Sequence, residues 1–248
     1  MGKVRTKVRT CSTTSDDVSR GLNPLSAYSA DALVHQKNPP QAMTPCFRTC
    51  LREPIPEIGK AALLLQSAVQ AHLAGNSELA HDSIRRADLP VIREWTESLW
   101  GSNSSYVQYR PVENAPPSLP KEQRVKLRMP TTSEKKALHE RDGFHCRFCG
   151  IPLIRKEVRE RIKKAYPEAL SWRSRNIDQH AAFQAMWLQY DHLLPHARGG
   201  DNSLDNIVIT CAPCNFGRMN WTLEEVGLID PRTRQAVRSS WTGLEEFR

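Results

Sequence analysis

The sequence predicts an α+β fold: a strand–turn–strand–helix unit in the C-terminal half, with two cysteine knuckles and a helical insertion, preceded by a small all-α region. Three observations carry this. "MWLQY" and "NIVIT" read as two short strands on either side of a glycine turn, and "CNFGRMNWTLEEVGL" reads as the start of a helix. Two CxxC pairs, Cys146/Cys149 and Cys211/Cys214, bracket the insertion. Apolar residues recur at helical spacing between residues 58 and 101.

Taken in order, residues 1–56 read as a poorly ordered basic segment, in which Ser/Thr-rich and Pro-containing pieces alternate without a period. Cys46 and Cys50 in "CFRTC" read as two free thiols. Residues 57–101 read as a small helical region. Ala62, Leu65, Val69 and Leu73 mark one helix face, Gly75 its stop, and Ser77 the N-cap of a second helix through Ala80 and Ile84. Pro90 suits the first turn of a third helix, with Val91, Trp95 and Leu99 on one face and Gly101 ending it. Five prolines between 102 and 130 predict a linker and a domain boundary. Thr131 and Glu134 form a capping-box signal for a helix to about Asp142. The last domain, 131–248, contains an insertion at 151–187 with helices over roughly 156–165 and 177–185.

Composition narrows the partners. The chain has 248 residues and a formal charge of +8. That balance suits a polyanion but does not identify one. No run of apolar residues is long enough to span a membrane, and no N-terminal stretch resembles a signal peptide, so the expected location is cytoplasmic. "MGKVRT" fits a myristoylation pattern by chance, since no second membrane signal accompanies it.

The cysteines point to metal chemistry. Without a secretion signal, two CxxC pairs read as a metal site and not as a disulfide framework. Each pair is a knuckle that supplies two thiolates, and two knuckles close a tetrahedral zinc shell. A closed four-cysteine shell has no open position, so its role is structural. An iron–sulfur cluster is the alternative for the same four ligands. Beside this soft site stand hard donors. Asp191 and Asn215 offer oxygens suited to Mg²⁺ or Mn²⁺. His192, unbound, can take a proton from water.

"YDH" at 190–192, Pro195, "GG" at 199–200, Asn206, "CAPCN" at 211–215 and the preceding "RDGFHCRFCG" at 141–150 together resemble the HNH (His-Asn-His) endonucleases, whose catalytic unit is the ββα-metal fold. The resemblance covers roughly residues 131–230. It implies that His192 is the general base and that Asn206 holds the turn and orients the base loop. It implies further that Asp191 and Asn215 bind the catalytic cation and that the four cysteines bind structural zinc. It implies metal-dependent hydrolysis of DNA to 5′-phosphate and 3′-hydroxyl ends, in a setting such as phage defence, restriction or a mobile element. The sequence departs from the compact motif in its long insertion and in carrying Asn at the third position, so it has one motif His.

Arg198 and Arg218 are the candidate phosphate contacts. Gly199 and Gly200 are expected to permit a positive-φ turn. His196 is expected in a groove or on the surface, the basic helix 155–164 as a solvated face, and Trp172, Phe183 and Trp187 as packing residues. DNA is the expected substrate, RNA stays open, and one active site would nick one strand at a time. Two other readings compete: a zinc-stabilised binding module that does not cut, and a nuclease subunit that needs a protein partner or a second copy docked through the N-terminal helices.

Overall fold

A computed structural model describes residues 47–100 and 103–248. The expectations for residues 1–46, including Cys46, and for Gly101 lie outside the described residues. Residues Phe47–Arg248 form one compact unit.

Three helices come first: α1 (Pro56–Leu73), α2 (Ser77–Arg86) and α3 (Pro90–Glu97). Pro at the start of α1 and α3 fits because the first helical N–H has no partner to lose. The cap of α2 is Asn76, one residue before the expected Ser77; its side chain accepts from the Leu79 N–H. The buried faces also differ slightly from the sequence pattern. Leu73 and Val91 are exposed, and Ile92, Trp95, Thr96 and Leu99 face inward around α3.

The next helices are α4 (Thr132–Asp142), α5 (Lys156–Ala165) and α6 (Ala181–Ala185). Thr131 and Glu134 close both halves of the capping box on α4. The helix expected over 177–185 is shorter, because residues 176–178 adopt a tighter 3₁₀ turn. Strands β1 (Leu188–His192) and β2 (Ile207–Cys211) pair antiparallel, with His192 opposite Ile207 and Leu188 opposite Cys211. Both strands lie one or two residues later than their apolar runs suggest. Helix α7 (Ala212–Arg218) follows β2 without a break and ends at Met219, whose φ is 53°. This is the ββα order. Asp142 continues the hydrogen bonding of β2 from the side: its carboxylate accepts from the Ile209 N–H at 3.0 Å.

The linker expected at 102–130 does not separate two bodies. It wraps the strand–turn–strand unit, with the Arg110 N–H bonded to the Glu225 carbonyl and the Leu119 N–H to the Ala197 carbonyl. Helices α1–α3 and the ββα unit share one apolar core. Gly217 in α7 shows how tightly they meet, since a Cβ there would lie 2.7 Å from the Leu99 carbonyl oxygen. The physical reason is exposure: three short helices alone cannot cover both faces of Ile92, Trp95 and Leu99. Among the described residues, no helix is long and apolar enough to cross a membrane.

Candidate active site and metal centre

The four cysteines converge. Their sulfur atoms all lie within 4.8 Å of one another, and Cys149 Sγ stands 3.6 Å from Cys211 Sγ. A tetrahedral shell with Zn–S bonds of about 2.3 Å places its sulfurs roughly 3.8 Å apart, so the cluster fits zinc. It does not fit a disulfide, which needs about 2 Å. Burial pushes the Cys149 and Cys211 thiols up. Four thiolates therefore need a cation between them to coexist here. The local chain prepares the shell: the Cys146 carbonyl accepts from the Gly150 N–H, and Cys211 Sγ accepts from the Cys214 N–H. The Arg147 N–H reaches the Ile209 carbonyl, so the first knuckle is also tied to β2. His139, His145 and His180 lie outside the shell and bond to Tyr190, Ser239 and the Ile84 carbonyl.

A cleft of about 630 Å³ opens beside the strand pair. Asp191, His192 and Asn215 all border it. Asp191 and His192 are adjacent at the end of β1, and both border the cleft. Asn215 enters from the first turns of α7.

His192 is held by a residue that sequence reasoning missed. Its Nε2 lies 2.9 Å from Asn202 Oδ1. The Asn202 amide nitrogen donates to the Leu127 and Met129 carbonyls at 2.8 and 3.2 Å, which fixes the amide orientation. An amide oxygen only accepts, so His192 carries its proton on Nε2 and presents a bare Nδ1. Burial also pushes the His192 imidazole down from its ordinary value, which favours the neutral ring. The signal in the sequence was weak, since Asn202 is one of several polar residues in a turn.

Asn206 clamps that turn. Its Oδ1 accepts from the Leu194 N–H at 2.8 Å, and its Nδ2 donates to the Leu194 and Asp201 carbonyls. Gly199 has the expected positive φ, 91°. Gly200 does not, and its reason is space: a Cβ there would sit 1.8 Å from the Leu194 carbonyl oxygen and 2.8 Å from Asn206 Nδ2. Gly200→Ala is therefore expected to break the clamp and lower stability by about 1–3 kcal/mol or more, as overpacking does. A thermal melt beside wild type checks it; an unchanged melting temperature would mean the turn has slack.

The two arginines expected to contact phosphate are both paired with carboxylates inside the protein, and Arg218 also borders the cleft. Arg218 is 1% exposed. Its guanidinium holds both oxygens of Asp191, with Nε–Oδ2 at 3.1 Å, and also donates to the His192, Leu193 and Trp221 carbonyls. Burial pushes the Asp191 carboxyl up, and Arg218 opposes that shift. Arg198 is paired with buried Glu225 at 2.9 Å and donates to the Pro116 carbonyl. Both side chains are engaged internally because each lies against a carboxylate that would otherwise be buried alone. Arg218→Leu is expected to cost about 3–5 kcal/mol, since it strands the Asp191 charge. Urea unfolding measures this. A loss below about 1 kcal/mol, the scale of a solvated pair, would show that Asp191 is hydrated in the cleft without its partner.

The basic helix α5 is likewise tied down. Arg155 pairs with Glu245, and the Arg159 guanidinium lies 3.5 Å over the Trp172 ring. Trp172 and Trp187 pack edge to face.

A strand pair, a clamped turn and a helix, with four converging cysteines beside them and a buried His bordering a cleft, form a ββα unit. Residues 177–218, which span β1, the turn, β2 and α7, match the HNH endonuclease family model. This supports a nuclease of the HNH type with a metal-binding four-cysteine site beside it. No curated protein and no solved structure matches the chain.

Proposed function

We propose that the protein is an endonuclease that hydrolyses DNA phosphodiester bonds at this cleft. The observation that carries the reading is the shared cleft of Asp191, His192 and Asn215, with His192 held so that Nδ1 is the open nitrogen. The donor chemistry suits a divalent cation. Arg218 takes one acceptor position on each Asp191 oxygen, and a carboxylate has about four in all. The Asn215 side chain makes no hydrogen bond among the described residues and borders the same space. Mg²⁺ or Mn²⁺ held by Asp191 and Asn215 would supply charge stabilisation to the phosphate as it is attacked.

The residues of the chain do the rest. His192 Nδ1 accepts a proton from water as the oxygen attacks phosphorus. Asn202 holds the ring through Nε2–H and stabilises the imidazolium that forms. Asn206 keeps the turn, and with it the base, in register. Cys146, Cys149, Cys211 and Cys214 would hold zinc, which would tie the start of α7 to the knuckle after α4. The leaving 3′ oxygen takes its proton from solvent in the open cleft.

Conversion of supercoiled plasmid to open circles, with Mg²⁺, Mn²⁺ or chelator, tests the reading. Metal-dependent nicking is the expected result. No cleavage of plasmid, linear duplex or single strands with any metal, by protein shown to be folded and zinc-loaded, would sink it.

A further inference from the structure

The segment that the sequence presented as a linker forms one wall of the cleft. Residues 121–129, "KEQRVKLRM", carry four cations and one anion. Lys121, Arg124, Lys126 and Arg128 all border the space that His192 and Asn215 border. Among the described residues, none of the four stands in an ion pair, in contrast to Arg198 and Arg218.

The backbone of this strap is anchored to the turn of the ββα unit. The Val125 carbonyl faces His196 Nε2 at 2.8 Å, and the Leu127 and Met129 carbonyls accept from Asn202. These are alternate residues, 125, 127 and 129. The cations at 124, 126 and 128 alternate with them, and of these Arg124 alone is tethered, through its Nε to the Leu119 carbonyl. Lys121, Lys126 and Arg128 are exposed. A row of cations without ion-pair partners is thus held by its main chain beside the candidate base. Self-repulsion along such a row is relieved by an anion with repeated charges.

The geometry points to the strap 121–129 as the clamp for the phosphate backbone of duplex DNA, placing the scissile bond against His192. This rests on the nuclease reading for its purpose, but its test is independent of cleavage. Phosphate contacts position a nucleic acid without reading its bases, so the clamp is blind to sequence. Asn202 bonds both to the strap and to His192, so a strap seated on DNA also keeps the base in its tautomer.

The experiment is a salt titration of binding. Full-length, zinc-loaded His192→Ala protein is mixed with fluorescent duplex DNA, and with RNA of the same sequence. It is compared with the same protein carrying Lys121→Gln, Lys126→Gln and Arg128→Gln, substitutions that leave the Arg124 tether and every main-chain anchor in place. For each phosphate no longer neutralised, the slope of log affinity against log salt falls by about 0.9. The expected result is a slope shallower by about 2–3 and roughly tenfold or more weaker binding at low salt. The same number of substitutions on α5, Lys156→Gln, Lys163→Gln and Lys164→Gln, is expected to leave both unchanged. An unaltered slope in the strap variant, an equal loss in the α5 variant, binding to RNA alone, or no binding by the parent would each overturn the clamp. Cleavage by otherwise wild-type protein with an unaltered slope in the strap variant removes the clamp and leaves the nuclease. Strap-dependent binding without cleavage under any metal does the reverse.

Discussion

Replacing His192 with Ala is expected to lower metal-dependent plasmid nicking by about 10²–10⁴-fold, the usual contribution of a positioned general base. The side chain is 7% exposed and lies at the end of β1, so truncation removes the imidazole without disturbing the strand pairing with Ile207. Folding is therefore expected to survive, and melting temperature and zinc content serve as controls. Asn202→Ala provides the sharper comparison. It leaves the ring but frees its tautomer and loosens two strap carbonyls. It should reduce the rate by less than His192→Ala. Asn202→Asp should recover part of that loss, because a carboxylate still accepts from Nε2–H. Nicking by His192→Ala at the wild-type rate would dismiss His192 as the base and turn attention to His196 beside it, whose ring centroid lies 5.7 Å away.

Loss of the ion from the four-cysteine shell is expected to have the largest effect on stability. Cys146, Cys211 and Cys214 are almost fully buried, and the shell joins two parts of the chain that β1 and the insertion separate in sequence. Structural zinc contributes on the order of 10 kcal/mol in small zinc domains, as large as the whole stability of many proteins. Cys214→Ser should therefore lose bound zinc and the cooperative melt together. Prolonged chelation of wild type should do the same, with recovery on adding Zn²⁺ but not Mg²⁺. Elemental analysis of the purified protein tests the ion directly. Iron and sulfide with visible absorption would replace zinc by an iron–sulfur cluster. A protein that melts normally without any metal would make the shell a cluster of buried thiols.

What was legible in the sequence was local. The capping box at Thr131 and Glu134, the two short strands, the glycine turn and the CxxC knuckles each act within a few residues, and each formed nearly where expected. The convergence of two knuckles was also readable, because a metal shell demands it of residues far apart. Strand ends and the α2 cap moved by one or two residues, where neighbouring groups compete for the same hydrogen bonds.

The sequence by itself determined the ββα unit, its four-cysteine shell and the residue types Asp191, His192 and Asn215 that the cleft presents. Tertiary structure alone decided what the arginines do and what the linker is. Arg218 and Arg198 look like surface cations until the fold places Asp191 and Glu225 against them, since a buried carboxylate captures whichever guanidinium can reach it. Residues 121–129 have no periodic pattern of their own, and their place is set by carbonyls that bond to His196 and Asn202 more than seventy residues away. Charge and spacing along a chain specify neighbours within a turn or a strand; which distant group meets a side chain follows only from how the core closes.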